Sequence, residues 1–335
     1  MMLRRYLLFL LTVLPILLIV LPAGIVLYFS PNASVAVPAQ SEQGTTASTA
    51  PQPEVKVYRS EKQKTETIPL ERYIEGVVAA EMPAEFELEA LKAQALAART
   101  YIVRRLAEGK FEDVPQGAEV LDTVQHQKYL DDEELKAIWK ENYDVKRERI
   151  RQAVKGTAGM IVTFEGKPID ATFFSTSNGF TENANEYWNQ SIPYLRSVAS
   201  PWDRESPKYQ AVTEMSLADF EQKLGVSLDA QAISTGTFYS VIERTTGNRV
   251  GRVQIGNKDF TGKEVREKLG LNSTAFAMTL KNNSLQITTQ GYGHGVGMSQ
   301  WGANGMAKEG KRAEQIIKYF YQGVSLEDYH KILPS

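Results

Sequence analysis

The sequence predicts an α+β fold, with helices packed on mainly antiparallel β-hairpins around a substrate cleft and a transmembrane helix ahead of them. Three observations carry that reading. Helical spacing dominates from Pro69 to Lys155, hairpin signals dominate from Gly159 to Thr289, and helical spacing returns after Gly297. Runs of helices and strands that stay separate argue for α+β, whereas a doubly wound fold would alternate them.

Tyr6 to Phe29 carries no charge, and Thr12 is its only clearly polar side chain. Such a run can span a bilayer, which takes roughly 20 apolar residues. Arg4 and Arg5 on its short N-terminal side keep that end in the cytoplasm. A secretory signal has an apolar region of only about 7–15 residues. Residues 1–29 are therefore read as a cytoplasmic tip and an uncleaved single-pass membrane anchor, despite the cleavage-like Ser34-Val35-Ala36. Residues 30–54 are rich in Pro, Ala, Ser, Thr and Gln without periodicity, as in a flexible linker. Residues 55–335 are expected to form the extracytoplasmic domain, large enough to bury a core without covalent staples.

Within that domain, Leu70, Tyr73, Ile74, Val77 and Val78 share one face of a helix over Pro69–Ala80, which Pro83 ends. A second helix runs over Glu89–Glu108 and stops at Gly109. A third covers Asp131–Lys155, with Asp131 and Glu134 as its capping box. Hairpins follow at Gly159–Phe164/Pro168–Phe174, Phe238–Thr246/Arg249–Ile255 and Ala275–Lys281/Leu285–Thr289, the last turning at Asn282-Asn283. Short helices intervene at Ser216–Leu224 and Thr261–Leu269, the second with a Thr261/Glu264 capping box.

Composition limits the chemistry. With 42% hydrophobic and 23% charged residues the chain is globular, and 38 Lys+Arg against 40 Asp+Glu give no basic excess for nucleic acid. The count of zero cysteines excludes disulfides, a thiolate nucleophile and Cys-ligated metals. Three histidines, His126, His294 and His330, do not make an all-His metal site, so neither metal nor cofactor is expected. Carboxylates, hydroxyls, amides and arginines remain.

Glu81 stands in Val78-Ala-Ala-Glu-Met-Pro83, where a helix breaks among small and apolar neighbours. Such surroundings raise a carboxyl's pKa, as a general acid requires; a solvated glutamate at a helix end is the competing reading. Arg99 falls on the apolar face of its helix and needs a partner, either a substrate group or a structural ion pair. Phe173-Phe-Ser-Thr-Ser-Asn-Gly179 supplies the hydroxyls and amide of Ser175, Ser177 and Asn178. Tyr194 and Arg196 in Pro193–Ser197 and Asp203 in Pro201-Trp-Asp203 add an aromatic ring and charges. Rings beside hydroxyls and carboxylates suit a sugar, although ordinary core packing would use the same residues. Gly291-Tyr-Gly-His-Gly-Val-Gly-Met-Ser-Gln-Trp-Gly302 lacks phosphate-loop spacing and reads as a cleft wall carrying His294, or as a tight structural turn.

In this order, Glu81-Met-Pro, Glu89–Tyr101, Asp122-Thr-Val-Gln-His-Gln127, Ser175–Gly179, Ser200-Pro-Trp-Asp203 and Gly293–Gln300 resemble the stage II sporulation protein D family of endospore-forming bacteria, from about Val55 to Ser335. The anchor fits the membrane-bound members better than their amidase-enhancer relatives. The resemblance implies a peptidoglycan lytic transglycosylase acting in forespore engulfment. It would cleave the β-1,4 bond between N-acetylmuramic acid and N-acetylglucosamine in peptide-stripped glycan strands, leaving 1,6-anhydro ends. It implies Glu81 as the single catalytic acid and base, and Arg99, Tyr194, Arg196 and Asp203 as cleft residues. It also implies a complex with stage II sporulation proteins M and P in the mother-cell engulfing membrane, protein P being the amidase that strips the stem peptides. The zinc that some relatives bind with His and Cys near the His126 region is not carried over, because Cys is absent. Two other readings stay open: a hydrolytic muramidase using Glu81 and Asp203, and a non-catalytic glycan-binding scaffold.

Overall fold

Strand Glu54–Arg59 buries every second residue (Val55, Val57 and Arg59) and pairs antiparallel with Lys64–Pro69. This alternation opens the folded part of the computed structural model, which describes residues 53–115, 117–281 and 284–333. The predicted anchor, residues 1–52 as a whole and the Asn282-Asn283 turn lie outside the described residues. Among those described, no helix is long and apolar enough to cross a membrane.

Helix α1 (Leu70–Glu81) buries Tyr73, Ile74, Val77 and Val78, the predicted face. Helix α2 (Leu88–Glu108) ends at Gly109 as expected and is almost encased, with Leu91, Ala95, Ala98 and Ile102 fully buried. The third predicted helix is a correction. It breaks into α3 (Asp132–Trp139), a 3-10 turn at Lys140–Asn142 and α4 (Tyr143–Lys155), with Lys140 at φ 48°. The break lets Arg147 fold back onto Asp132 (3.1 Å) and onto Glu75. In an unbroken helix, residues fifteen apart would stand roughly 22 Å from each other. The Asp131/Glu134 capping box is present.

The sheets are small and mainly antiparallel. The hairpin expected over 159–174 is shorter than predicted: Met160–Phe164 pairs with only Lys167–Pro168, and its other edge takes Ser325–Asp328. Phe173–Phe174 instead leaves to pair in parallel with Met298–Ser299. Gly297, at φ +80°, makes that junction possible, since a Cβ there would stand 2.1 Å from the Thr172 carbonyl oxygen. The other two hairpins form, Tyr239–Arg244 with Val250–Ile255 and Phe276–Lys281 with Ser284–Gln290. The Thr261/Glu264 capping box opens helix Gly262–Leu269. Helices Gln300–Lys308 and Ala313–Phe320 return after Gly297.

Two apolar cores result. The main core is built from Val55 to Leu195 and again from Val296 to Tyr329. The second lies wholly between Phe220 and Ile287. The lobe around it is an insertion whose entry and exit are stitched together, Gly291 N–H donating to the Tyr209 carbonyl at 2.7 Å. The two cores meet across polar contacts: Asn178 Nδ2 donates to the Gly247 carbonyl (2.9 Å), Thr246 N–H to Glu186 (2.8 Å) and Arg266 to the Tyr187 hydroxyl (2.7 Å).

Replacing Gly297 with Ala is expected to destabilise the chain by about 2–3 kcal/mol, from forced backbone strain and a steric clash. Urea unfolding followed by tryptophan fluorescence measures it, and the loss should exceed that of Gly310→Ala, where no atom lies within 4 Å of an added Cβ.

Candidate active site

Pro83 fixes the site's central residue. The residue before a proline is pushed to extended backbone, and Met82 takes φ −129°, ψ 137°. Helix α1 therefore ends on Glu81, beside the negative end of the helix dipole, which disfavours an anion. Glu81 Oε1 accepts a hydrogen bond from the Lys128 backbone N–H at 2.9 Å. Burial raises the Glu81 pKa above the usual carboxylate range, and the Lys128 N–H opposes that rise without cancelling it. The Lys128 charge opposes it as well, but no ion pair forms and desolvation dominates.

The segment that supplies Lys128 is itself clamped. Arg59, buried, bonds Asp122 (3.0 Å), Glu66 (3.1 Å), Asp131 (2.9 Å) and Glu134 (2.5 Å). Tyr129 stacks on Tyr73 of α1 with ring centroids 5.5 Å apart. Gly76 permits this approach, since a Cβ there would meet the Tyr129 ring at 2.3 Å.

Glu81 lines a cleft of about 680 Å³ with Phe86, Tyr101, Phe174, Tyr292 and Trp301 among its walls. Phe86 and Trp301 pack edge to face at 5.0 Å. Burial pushes the Tyr101 phenol up to about 12, so it remains a neutral hydrogen-bond donor. Ser175 and His294 line the same cleft. The His294 ring is locked: Nδ1 accepts from Val296 N–H (3.1 Å), which leaves Nε2–H to donate to the Phe173 carbonyl (3.1 Å). Burial lowers its pKa to about 3, so it is a neutral wall and not a proton carrier. Both nitrogens of His126 are likewise engaged, one by Leu121 N–H (3.1 Å) and one by Asp113 (2.9 Å).

Ser177, Asn178 and Asp203 are buried behind the wall and do not line the cleft, contrary to expectation. Asp203 Oδ1 accepts from Ser177 N–H (2.7 Å) and the Ser299 hydroxyl (2.5 Å), and Oδ2 accepts from the Ser200 hydroxyl. Burial raises its pKa and these donors oppose the rise. Asn178 is spent on the contact with Gly247.

A family model for stage II sporulation protein matches residues 58–164, a span that contains Glu81 and Arg99. The chain is 46% identical to stage II sporulation protein D of Bacillus subtilis (strain 168) over 95% of this chain and 94% of that protein. The chain belongs to the stage II sporulation protein D family. Its identity to stage II sporulation protein D of Bacillus amyloliquefaciens is 49%, over 83% of this chain and 80% of the relative. The amidase enhancer of Bacillus subtilis (strain 168) is 30% identical over 76% of this chain and 40% of that protein.

In this member of the stage II sporulation protein D family, the remaining three predicted cleft residues lie apart from Glu81. Arg99 is fully buried and makes a bidentate pair with Glu71 (2.9 and 2.6 Å), plus bonds to the carbonyls of Met160 (3.1 Å) and Val154 (3.3 Å). The structure places Arg99 in a buried ion pair with Glu71, its donors used within the protein and away from the Glu81 cleft. Tyr194 lines a neighbouring recess of about 620 Å³, where its hydroxyl accepts from Asp170 N–H (2.9 Å). Arg196 is exposed and lines neither recess.

Sequence reasoning missed Asp170, which lines both recesses and stands 3.5 Å from Arg104. Burial raises its pKa. A lone charge between the apolar Ile169 and Ala171 was the available signal. Tyr101 and Trp301 lay inside the quoted motifs but were not singled out.

Arg99→Ala and Glu71→Ala should each cost about 3–5 kcal/mol in urea unfolding, because either change leaves a buried charge unpaired. Equal losses in the two variants mark a structural role; a loss of glycan binding without loss of stability would mark a substrate role.

Glu81→Gln should stabilise the fold at neutral pH. The folded-state pKa is raised, so the glutamate's contribution is fully present below the unfolded value, about 4.3, and is lost as pH rises through the folded value. The Tm advantage of the variant should be near zero at pH 4 and grow above it.

Proposed function

We propose that this chain is a peptidoglycan lytic transglycosylase, cleaving the β-1,4 bond between N-acetylmuramic acid and N-acetylglucosamine in peptide-stripped strands to leave 1,6-anhydro ends. The observation that carries the reading is Glu81: one carboxyl, held toward its neutral form by burial at a helix end, in a cleft with aromatic walls. Aromatic faces suit sugar rings. The neutral acid donates its proton to the leaving glycosidic oxygen as the anomeric carbon gains oxocarbenium character. The resulting carboxylate then takes the proton from the 6-hydroxyl of the same muramyl ring as that oxygen attacks. Intramolecular attack supplies the effective concentration that a second group otherwise provides.

A hydrolytic muramidase needs a second carboxylate to activate water or form a covalent intermediate. Asp203, the sequence's candidate for that role, is buried and accepts three donors. Asp170 does reach the cleft, but it is paired with Arg104 at 3.5 Å, and burial raises its pKa. The single-carboxyl mechanism therefore has the better support.

The same reading puts the catalytic part outside the membrane, anchored by residues 1–29, at the mother-cell engulfing membrane with stage II sporulation proteins M and P. The uncharged run Tyr6–Phe29 supports the anchor. The name of the amidase enhancer relative supports work alongside an amidase.

Full-length chain incubated with peptide-free glycan strands should release anhydro-ended products by mass spectrometry, and Glu81→Gln should lose at least about a thousandfold in rate. Ordinary reducing ends, or an active Glu81→Gln, would overturn the proposal. Because free enzyme must carry protonated Glu81, kcat/KM should fall as pH rises through its raised pKa.

A further inference from the structure

Apart from Glu81, the acidic and basic side chains of the cleft fall into two kinds. His126 is held against Asp113 (2.9 Å), and Asp170 stands near Arg104 (3.5 Å). Lys128 and Lys208 are exposed at the cleft and have no carboxylate partner among the described residues. The backbone N–H of Lys128 is the group that holds Glu81, so its side chain starts beside the reacting carboxyl. Lys208 Nζ lies 4.7 Å from the centroid of the Tyr292 ring, a cation–π contact that keeps the ammonium at the aromatic lip.

Glu81 enters the reaction as a neutral acid, so the cleft brings two uncompensated positive charges to the sugar. N-acetylglucosamine carries no charge to meet them. N-acetylmuramic acid bears a lactyl ether whose carboxyl is anionic when free and neutral when a stem peptide closes it into an amide. We propose that Lys128 and Lys208 form an anion site for the free lactyl carboxylate of the muramyl residue being cleaved, and so make the cleft select strands whose peptides have been removed. The inference rests on the transglycosylase reading and names the residues behind its substrate preference. Amidation removes the charge the lysines bind and places a peptide chain where they stand.

The test uses full-length chain and two glycans of equal length, one with free lactyl carboxyls and one with every carboxyl converted to the N-methylamide. The small amide removes the charge with little added bulk. Turnover is followed by kcat/KM, and affinity by titrating the Glu81→Gln chain. The chain with both lysines native should prefer the free acid by about tenfold or more, the gain expected of a charge-assisted contact. The preference should weaken with added salt. Combining Lys128→Gln with Lys208→Gln should bring the ratio close to one, and combining Lys128→Arg with Lys208→Arg should retain it. A ratio near one with the lysines native, or an unchanged ratio in the double Gln chain, overturns the proposal. Ordinary reducing ends from both glycans would sink the transglycosylase reading alone, since the acid-to-amide ratio still reports on the lysines. Affinity in the Glu81→Gln background gives the same ratio if turnover is absent.

Discussion

The wall facing the cleft depends on one buried carboxylate. Asp203 binds Ser177 N–H and the hydroxyls of Ser200 and Ser299, three segments that have no common strand or helix. Ser299 is also the N-cap of helix Gln300–Lys308, accepting from Gly302 N–H (3.2 Å). The next residue but one, Trp301, donates its backbone N–H to the Ser175 carbonyl (3.1 Å). The positions of Ser175 and Trp301 in the cleft thus follow from a carboxyl that never meets the ligand. A buried carboxylate is tolerable only when its lone pairs are filled, and here the hydroxyls fill them.

Glu81 is the opposite case. It is half-buried, receives one backbone N–H and has the Lys128 charge nearby but no paired arginine, so burial still outweighs what favours its anion. Arg99, on helix α2, is withheld by its bidentate pairing with Glu71. Had it reached Glu81, its charge would have stabilised the anion and removed the acid. The fold therefore sorts its carboxyls: Glu71 and Asp203 are satisfied and structural, and Glu81 is kept short of partners where a proton has to move.

Much of this was legible in the sequence because it is local. The helix ending at Met82-Pro83, the stop at Gly109 and the two capping boxes are set by neighbours within four residues. The break at Lys140 was not legible, because no glycine or proline marks it. It accompanies Arg147 reaching Asp132 and Glu75, and the second contact exists only once α1 is in place. The parallel pairing of Phe173–Phe174 with Met298–Ser299 joins distant segments and leaves no periodic trace. Among the site residues, Glu81, Ser175 and His294 were found at the cleft. Ser177, Asn178 and Asp203 were read as sugar ligands because a polar side chain that tethers buried loops has the same chemistry as one that binds a hydroxyl. Only burial separates the two.

The stitched junction between Tyr209 and Gly291 has a consequence for how the molecule can vary. The chain leaves and re-enters the main core at almost one point, so the lobe between is a cassette with its own apolar centre. Changes in those of its loops that do not touch the main core need displace neither strand of the Phe173–Phe174/Met298–Ser299 pair nor the helix end at Glu81. Lys208 and Tyr292 sit immediately outside that seam, one on each side. A lineage could vary the cassette and keep the chemistry, provided the seam and the contacts of Gly247, Thr246 and Arg266 with the main core are preserved.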